Sequence, residues 1–543
     1  MGSKTYRAKQ TCRFSIDALA HKALARYTMN KELKKMITEL KEKKAIASHG
    51  GGLKKIEAQH SAGRFTARER IARLLDTSTF VEMNMLAALP EDANKGLYGD
   101  GVVVGYGKID GRKVCIYAQD YTVKSGTTGP VHRNKITGII DMAIKTGAPV
   151  IGLWDSAGGR LDAENRPLSV CHSSIFYRCT QASGIVPQIS AMLGPSAGNA
   201  AYAAALTDFV FMVDKKSYTF VTGPIAVKEV LGETITKEAL GGAKVHSQIS
   251  GLADMRVNTE DECFAQIRTL LSYLPSNNGE KPPRITTGDD PDRIDEAIGD
   301  IIPTSLRKSY DMKHIITRLF DNGNFLEIKA EFARNIITGF GRLNGYSVGV
   351  IANQSRFMAG SLTADSSDKE ARFIRFCDAF NIPLIFLVDT TGFLPGSRQE
   401  YAGILRRGAK VLYAISESVV PKIAVLIRKA YGGAKPAMGI DKDIGVDHIF
   451  AWPTGESAIM GAEAVANIIY SKEIAGADDP ETFRKKKIKE LKEAARPYSM
   501  AYGGLVDDII EPGETRQKLI VTLESLTGKQ EIRYPKRHGN IPL

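Results

Sequence analysis

The sequence predicts an α/β protein built from two tandem domains that arose by internal duplication. The first observation is a constant offset. Val186-Pro187-Gln188-Ile189, with Gly194-Pro195-Ser196-Ala197-Gly198 after it, reappears 234 residues later as Val420-Pro421-Lys422-Ile423 with Tyr431-Gly432-Gly433. Asp155 and Asp389 keep that offset, as do Gly105-Tyr106-Gly107 and Gly339-Phe340-Gly341. Several matches in one order mean a duplicated unit. The second observation is a pattern of apolar strands alternating with helical stretches and breaking at glycine turns. It marks a mostly parallel sheet covered on both faces, with ligands beyond the carboxyl ends of its strands. The third is length: 543 residues exceed one core and fit two repeats of roughly 230 residues with terminal additions. The expected divisions are a helical extension over 1–50, domains over 51–281 and 304–543, and a linker over 282–303.

In chain order, the extension carries helical stretches over 17–27 and 30–44 and stops at Gly50-Gly51-Gly52. Thr66 with Glu69 three residues on is a capping box that starts a helix through Leu75. Arg64, Arg68, Arg70 and Arg73 around it are candidates for a phosphate contact. Strands follow over 101–109 and 113–118, then the turn Ser125-Gly126-Thr127-Thr128-Gly129 and a helix over 134–146. A strand over 149–154 leads into Asp155-Ser156-Ala157-Gly158-Gly159-Arg160, and another covers 187–193. Residues 282–303, rich in proline, glycine and acid, read as the linker. The second repeat is expected to show strands over 335–342 and 347–353, a turn at Gly360 and a helix over 367–379. Next come a strand over 383–389, a turn from Thr391 to Gly396, a helix over 399–416 and a strand over 423–427. A helix from Glu456 and a last one from Thr515 close the chain. Glycine at these strand ends lets backbone approach a ligand, and N–H groups at a helix start can face a developing negative charge.

The net charge of +12 favours anionic ligands. Its lysine runs over 31–44 and 484–492 alternate with glutamates as solvated helix faces do, and no stacking aromatics interleave them, so nucleic acid is not an expected partner. No apolar run reaches 18 residues and no charged-then-apolar leader is present. A cytoplasmic protein is expected, touching a membrane only through a partner. The six cysteines are scattered, with Cys115 and Cys377 in core patterns. Cys171, Cys179 and His172 lack a second pair, so neither metal nor disulfide is expected. No nucleophilic triad is expected. A hydratase or hydrolase would need paired acids beside its substrate, and only Asp162 and Glu164 lie near the first turn. What stands out is glycine-lined backbone at strand ends, twice, which suits chemistry through an enolate.

The segments QHSAGRFTARERIARLLD (59–76), QDYTVKSGTTGPVHRNKI (119–136), DSAGGR (155–160), GPSAGNAAY (194–202), IRKAYGGAKPAMG (427–439) and KRHGNIPL (536–543) resemble the carboxyltransferase (beta) subunits of biotin-dependent acyl-CoA carboxylases, the propionyl-CoA carboxylase-like family. The resemblance runs through nearly the whole chain in family order. It implies two crotonase-like (ββα spiral) domains, the first for acyl-CoA and the second for carboxybiotin. The active site would form between the first domain of one subunit and the second of another, in a homo-oligomer expected to be a hexamer. It implies an oxyanion hole for the thioester at Ala157 and Gly158, and one for the biotin ureido oxygen at Gly432 and Gly433. Cofactor contacts are implied at Arg64, Gly126, Thr127, Gly159, Arg160, Gly198, Gly392, Phe393, Tyr431 and Ala434, with no metal. The implied reaction carries a carboxyl group from carboxybiotin to the α carbon of an acyl-CoA. The alternative is its reverse, in a decarboxylase of malonyl-type CoA esters or a transcarboxylase. No Met-Lys-Met biotinylation signal is present, so separate biotin carboxylase and biotin carboxyl carrier subunits are implied. Ser125-Gly126-Thr127, where members commonly read Gly-Gly-Ser, and Lys435-Pro436, where propionyl-type members have an aromatic and an aspartate, bear on which acyl group fits.

Overall fold

Two sheets carry the chain and repeat one another strand for strand. A computed structural model describes residues 30–160 and 173–542. In the first sheet Val81–Met83, Val102–Ile109 and Arg112–Gln119 pair antiparallel. Val150–Trp154, Gln188–Met192, Phe209–Val213 and Met255–Val257 then add in parallel. Leu326–Ile328, Ile336–Leu343, Tyr346–Asn353, Leu384–Thr390, Lys422–Tyr431, His448–Ala451 and Asp508–Ile509 repeat that order and those directions. Val150–Trp154 and Leu384–Thr390 are buried at every residue, which is why they read as unbroken apolar runs. Just past the strand ends the chain steps onto a second, small parallel pairing. Pro195–Ala197 meets Tyr218–Phe220, and Lys429–Tyr431 meets Glu456–Ala458.

The repeats share one core. The Phe209 ring packs edge-on against Phe376 at 4.6 Å and lies 6.2 Å from Phe340. Arg342 crosses between the repeats, donating to the Ser272 carbonyl at 2.7 Å and lying over the Tyr273 ring. Each repeat also holds, at equivalent positions 234 residues apart, a buried lysine that the sequence reading passed over. Lys135 Nζ donates to the carbonyls of Gly99 and Val102, and Lys369 Nζ to those of Lys329, Phe332 and Ile336. Each lysine ties its helix, Pro130–Thr146 or Ala364–Ala379, to the entry of the long antiparallel strand. Burial pulls these ammonium groups down, to about 8 and about 7.

The capping box forms as expected, with both Thr66 and Glu69 side chains bonded to backbone N–H groups. Four expectations are revised. The strand over 423–427 continues to Tyr431, because Arg428 and Lys429, which read as its end, are buried beside Asp389. Glu456 begins a strand, and the helix starts only at Ala462. The helix over 399–416 is broken by Gly403, whose φ of 77° starts a second helix, Ile404–Glu417. The expected linker is no bare tether, since Ile298 and Ile302 join the second core. The expected helix over 17–27 lies outside the described residues; the next runs Lys31–Ser48.

Glu370 is fully buried, and neither carboxylate oxygen has a hydrogen-bond partner among the described residues. Burial pushes its carboxyl well above the ordinary value. The folded state therefore binds a proton that the unfolded state has released, and this group's contribution falls as pH rises from near 4.5 toward the raised value. The slope is about 1.4 kcal/mol per pH unit. Glu370→Gln should accordingly raise the melting temperature at pH 8 and leave it nearly unchanged at pH 4.5. Equal shifts at both pH values would contradict this linkage.

Candidate active site

Both candidate turns start from a buried aspartate. Asp155 accepts from Gln59 Nε2 at 2.9 Å, Arg64 NH1 at 2.9 Å and Arg70 NH1 at 2.8 Å. Arg70 grips Glu260 with its other nitrogens, at 2.7 and 2.9 Å. Asp389, its counterpart, accepts from Arg428 at 3.1 and 3.0 Å. The arginines expected to meet phosphate are thus already paired. Arg64 and Arg70 hold Asp155, Arg68 binds Glu82 and Arg73 binds Asp261.

From Asp155 the chain turns through Ser156, Ala157 and Gly158. Ala157 N–H donates to the Ser125 carbonyl at 3.0 Å, and Gly158 N–H to Ser156 Oγ at 3.0 Å. Those two N–H groups hold the turn, so they are not free donors in this structure. Gly158 has a φ of 110°, and a Cβ there would lie 3.3 Å from the Ala197 carbonyl oxygen. Gly126 is equally constrained, since its Cβ would meet the Asp155 carbonyl at 2.4 Å. Arg160 was expected at the cofactor but is turned inward, donating to Asp100 and to the hydroxyl and carbonyl of Thr127. Gly159 N–H has no acceptor among the described residues. Facing this turn, Gly198 (φ 63°) starts the helix Asn199–Ala205, whose first N–H groups, Ala200's among them, have no intrahelical acceptor.

The second repeat matches this position by position. Gly392 N–H bonds back to Thr390 Oγ1 at 3.3 Å and its φ is 116°. Gly432, with φ 58°, donates to the Ala458 carbonyl at 3.0 Å, so one of the two expected donors holds the strand pairing instead. Gly433 is exposed, with φ −66°, and its N–H has no acceptor among the described residues. Ala434 begins a short helix closed by Lys435 N–H to the Gly432 carbonyl, as Ala201 N–H closes onto Gly198. A Cβ on Gly433 would touch the Phe393 ring at 3.8 Å, so the two turns face each other. Tyr431 supports them from below, its hydroxyl donating to Glu456 Oε2 at 2.8 Å.

Among the described residues, backbone N–H groups without an acceptor therefore fall at equivalent places, Gly159 with Phe393 and Ala200 with Ala434. The sequence reading put the two holes at non-equivalent turns and missed Ala200, although the 234-residue offset carries Ala434 onto it. Ala157→Gly should leave kcat/KM within a few-fold, because its N–H keeps the bond to Ser125 and only an exposed methyl is lost. Steady-state kinetics on the assembled variant checks this. Gly194-Pro195-Ser196-Ala197-Gly198 also fits the Gly-X-Ser-X-Gly pattern of serine nucleophiles. Ser196 Oγ, however, is buried without a partner among the described residues, so none of them serves it as a base. Asp162, Glu164, Cys171 and His172 lie outside the described residues.

The carboxyl transferase domain model matches residues 58–541. The chain belongs to this family. It is 49% identical over 508 residues to the methylmalonyl-CoA decarboxylase subunit alpha of Veillonella parvula, covering 93% of this chain and 98% of that one. It is 48% identical over 512 residues to the propionyl-CoA carboxylase carboxyltransferase subunit of Haloferax mediterranei, covering 93% and 99%. Among solved structures, a transcarboxylase 12S with methylmalonyl-coenzyme A bound matches with a TM-score of 0.89 and 42% identity, over 93% of this chain and 98% of that one. The two sheets are thus two crotonase-like domains. The protein is a biotin-dependent acyl-CoA carboxyltransferase, acting on a coenzyme A thioester and on biotin carried by a separate domain or subunit. No helix among the described residues is long and apolar enough to cross a membrane.

Proposed function

We propose that this carboxyltransferase moves a carboxyl group between biotin and the α carbon of a short-chain acyl-CoA, with the thioester in the first repeat (51–281) and biotin in the second (304–543). The observation that carries the reading is the pair of donor sets without acceptors among the described residues, Gly159 with Ala200 and their equivalents Phe393 with Ala434, to which Gly433 adds a further donor in the second repeat. Each set lies beyond the parallel strands, where two carbonyl oxygens that gain negative charge need fixed dipoles. An exposed, acceptor-free N–H at Gly433 fits a ureido oxygen, which only accepts. When bound, biotin supplies the carboxyl group and a nitrogen able to exchange the α proton. The chain's own work is to stabilise the enolate oxygen with backbone N–H groups, each worth about 3 kcal/mol where such donors have been deleted. The test is to incubate the enzyme with methylmalonyl-CoA and free biotin as carboxyl acceptor in one direction, and with propionyl-CoA and carboxybiotin as carboxyl donor in the other. No biotin-dependent turnover with any short-chain CoA thioester would overturn the reading.

The reverse direction has equal support, since 49% identity to a decarboxylase subunit stands beside 48% identity to a carboxylase subunit. Capture of the native complex separates the two: a biotin carboxylase and carrier mean carboxylation, and a membrane subunit with a carrier means decarboxylation. The assembly is proposed to be a homohexamer with each site between the first repeat of one copy and the second of another. The hexamer described for transcarboxylase 12S supports this, as do the exposed apolar side chains Ile225, Leu231, Tyr401 and Leu405. A light-scattering mass of one 59.1 kDa chain in an active preparation would refute it.

A further inference from the structure

The first repeat holds a buried charged brace that the second repeat lacks. Gly99, Asp100 and Gly101 run consecutively in the left-handed region, with φ of 81°, 49° and 75°. Lys124, Ser125 and Gly126 do the same at 49°, 54° and 63°. These two tight turns lie against each other: a Cβ on Gly101 would sit 2.9 Å from the Val123 carbonyl oxygen and 3.6 Å from Gly126 Cα. Side-chain-bearing residues stay in this region only where their surroundings hold them. Asp100 is buried, and its Oδ2 accepts from His132 N–H at 2.8 Å while its Oδ1 takes Arg160 NH1 at 2.5 Å. Arg160, also buried, reaches Thr127 Oγ1 at 3.3 Å and the Thr127 carbonyl at 2.8 Å. The next backbone bonds run from Thr128 N–H to the Gly158 carbonyl and from Arg160 N–H to the Thr128 carbonyl. Asp100 thereby fixes the segment that carries the acceptor-free Gly159 N–H.

At the corresponding positions the second repeat has Arg334, Ser366 and Leu394. It keeps the backbone bonds, Leu362 N–H to the Gly392 carbonyl and Leu394 N–H to the Leu362 carbonyl, but among the described residues no ion pair equivalent to Asp100–Arg160 forms there. Arg334 lies over the Phe357 ring at 4.0 Å instead, and Ser361 meets Thr391 through their hydroxyls at 2.6 Å. Duplication therefore kept the turn and changed the lock.

We propose that Asp100, acting through Arg160 and Thr127, is a positioning residue that aims the first-repeat donor at the CoA thioester. This rests on the assignment of the thioester to the first repeat. Asp100→Asn in the full-length assembled enzyme isolates the charge, because asparagine has the same shape and tolerates a left-handed backbone. The variant should lose about tenfold or more in kcat/KM for the acyl-CoA, chiefly in kcat, with KM for free biotin unchanged. Hydrogen exchange should quicken in 124–129 and 156–160 and stay the same in 358–363 and 390–394. Arg160→Gln should give the same profile, and the double variant should be no worse than either single one. Should Asp100→Asn not assemble, Arg160→Gln carries the test. Parental kinetics and exchange in an assembled variant would overturn the brace, as would a uniform loss on both substrates with exchange raised throughout. A change confined to biotin would overturn the assignment of the repeats instead.

Discussion

Gly433→Pro should lower kcat/KM by about 10² to 10³ while leaving assembly and acyl-CoA affinity intact. Proline fixes φ near −65° and removes the N–H. Gly433 already sits at −66°, and its N–H bonds to nothing among the described residues, so the substitution deletes a donor without breaking a structural bond. A Cβ at this position would find the Phe393 ring at 3.8 Å, ordinary contact distance. Gly433→Ala, which keeps the donor and adds that carbon, should therefore stay within a few-fold of the parent. The contrast is diagnostic because both variants add a Cβ at the same place, while only proline removes the N–H and puts a ring carbon where that hydrogen pointed. Kinetics with free biotin reads the loss, and equilibrium binding of the acyl-CoA reads the affinity. Equal activity of the two variants would show that this N–H does not face the reacting centre.

Arg70→Met should be among the most destabilising single changes in the molecule, costing about 3–5 kcal/mol. Arg70 is fully buried and bridges Asp155 and Glu260 with three charge-assisted bonds. Burial alone would lower its pKa, but the two carboxylates outweigh that and hold it above its ordinary value. Removing it strands Glu260 in the core, while Asp155 keeps Arg64 and Gln59. Denaturant unfolding of the assembled protein, or its failure to accumulate in soluble form, measures the effect. Arg70→Met with Glu260→Gln should recover part of the loss, since removing both charges costs less than orphaning one. A single variant as stable as the parent would mean that water reaches this cluster.

Reading along the chain located the repeat, the parallel strands and the glycine turns, because these follow from local pattern. Val150–Trp154 is apolar at every position since both its faces are covered, and Gly158 and Gly392 stand where φ exceeds 100° and an L side chain is strained. The family motifs of the two turns were legible for the same reason. Which N–H groups in those turns remain free was decided only in three dimensions. Ala157 loses its donor to Ser125 and Gly432 loses its own to Ala458, partners some thirty residues away that no local pattern announces. Charge followed the same rule: Arg64 and Arg70 read as phosphate ligands until Asp155 was seen between them, and Arg428 read as a strand end until Asp389 was found beside it. Burial sets a backbone conformation through neighbours in sequence. A buried hydrogen bond or ion pair must be completed by whatever the fold brings near, so its partner is known only once the fold is formed.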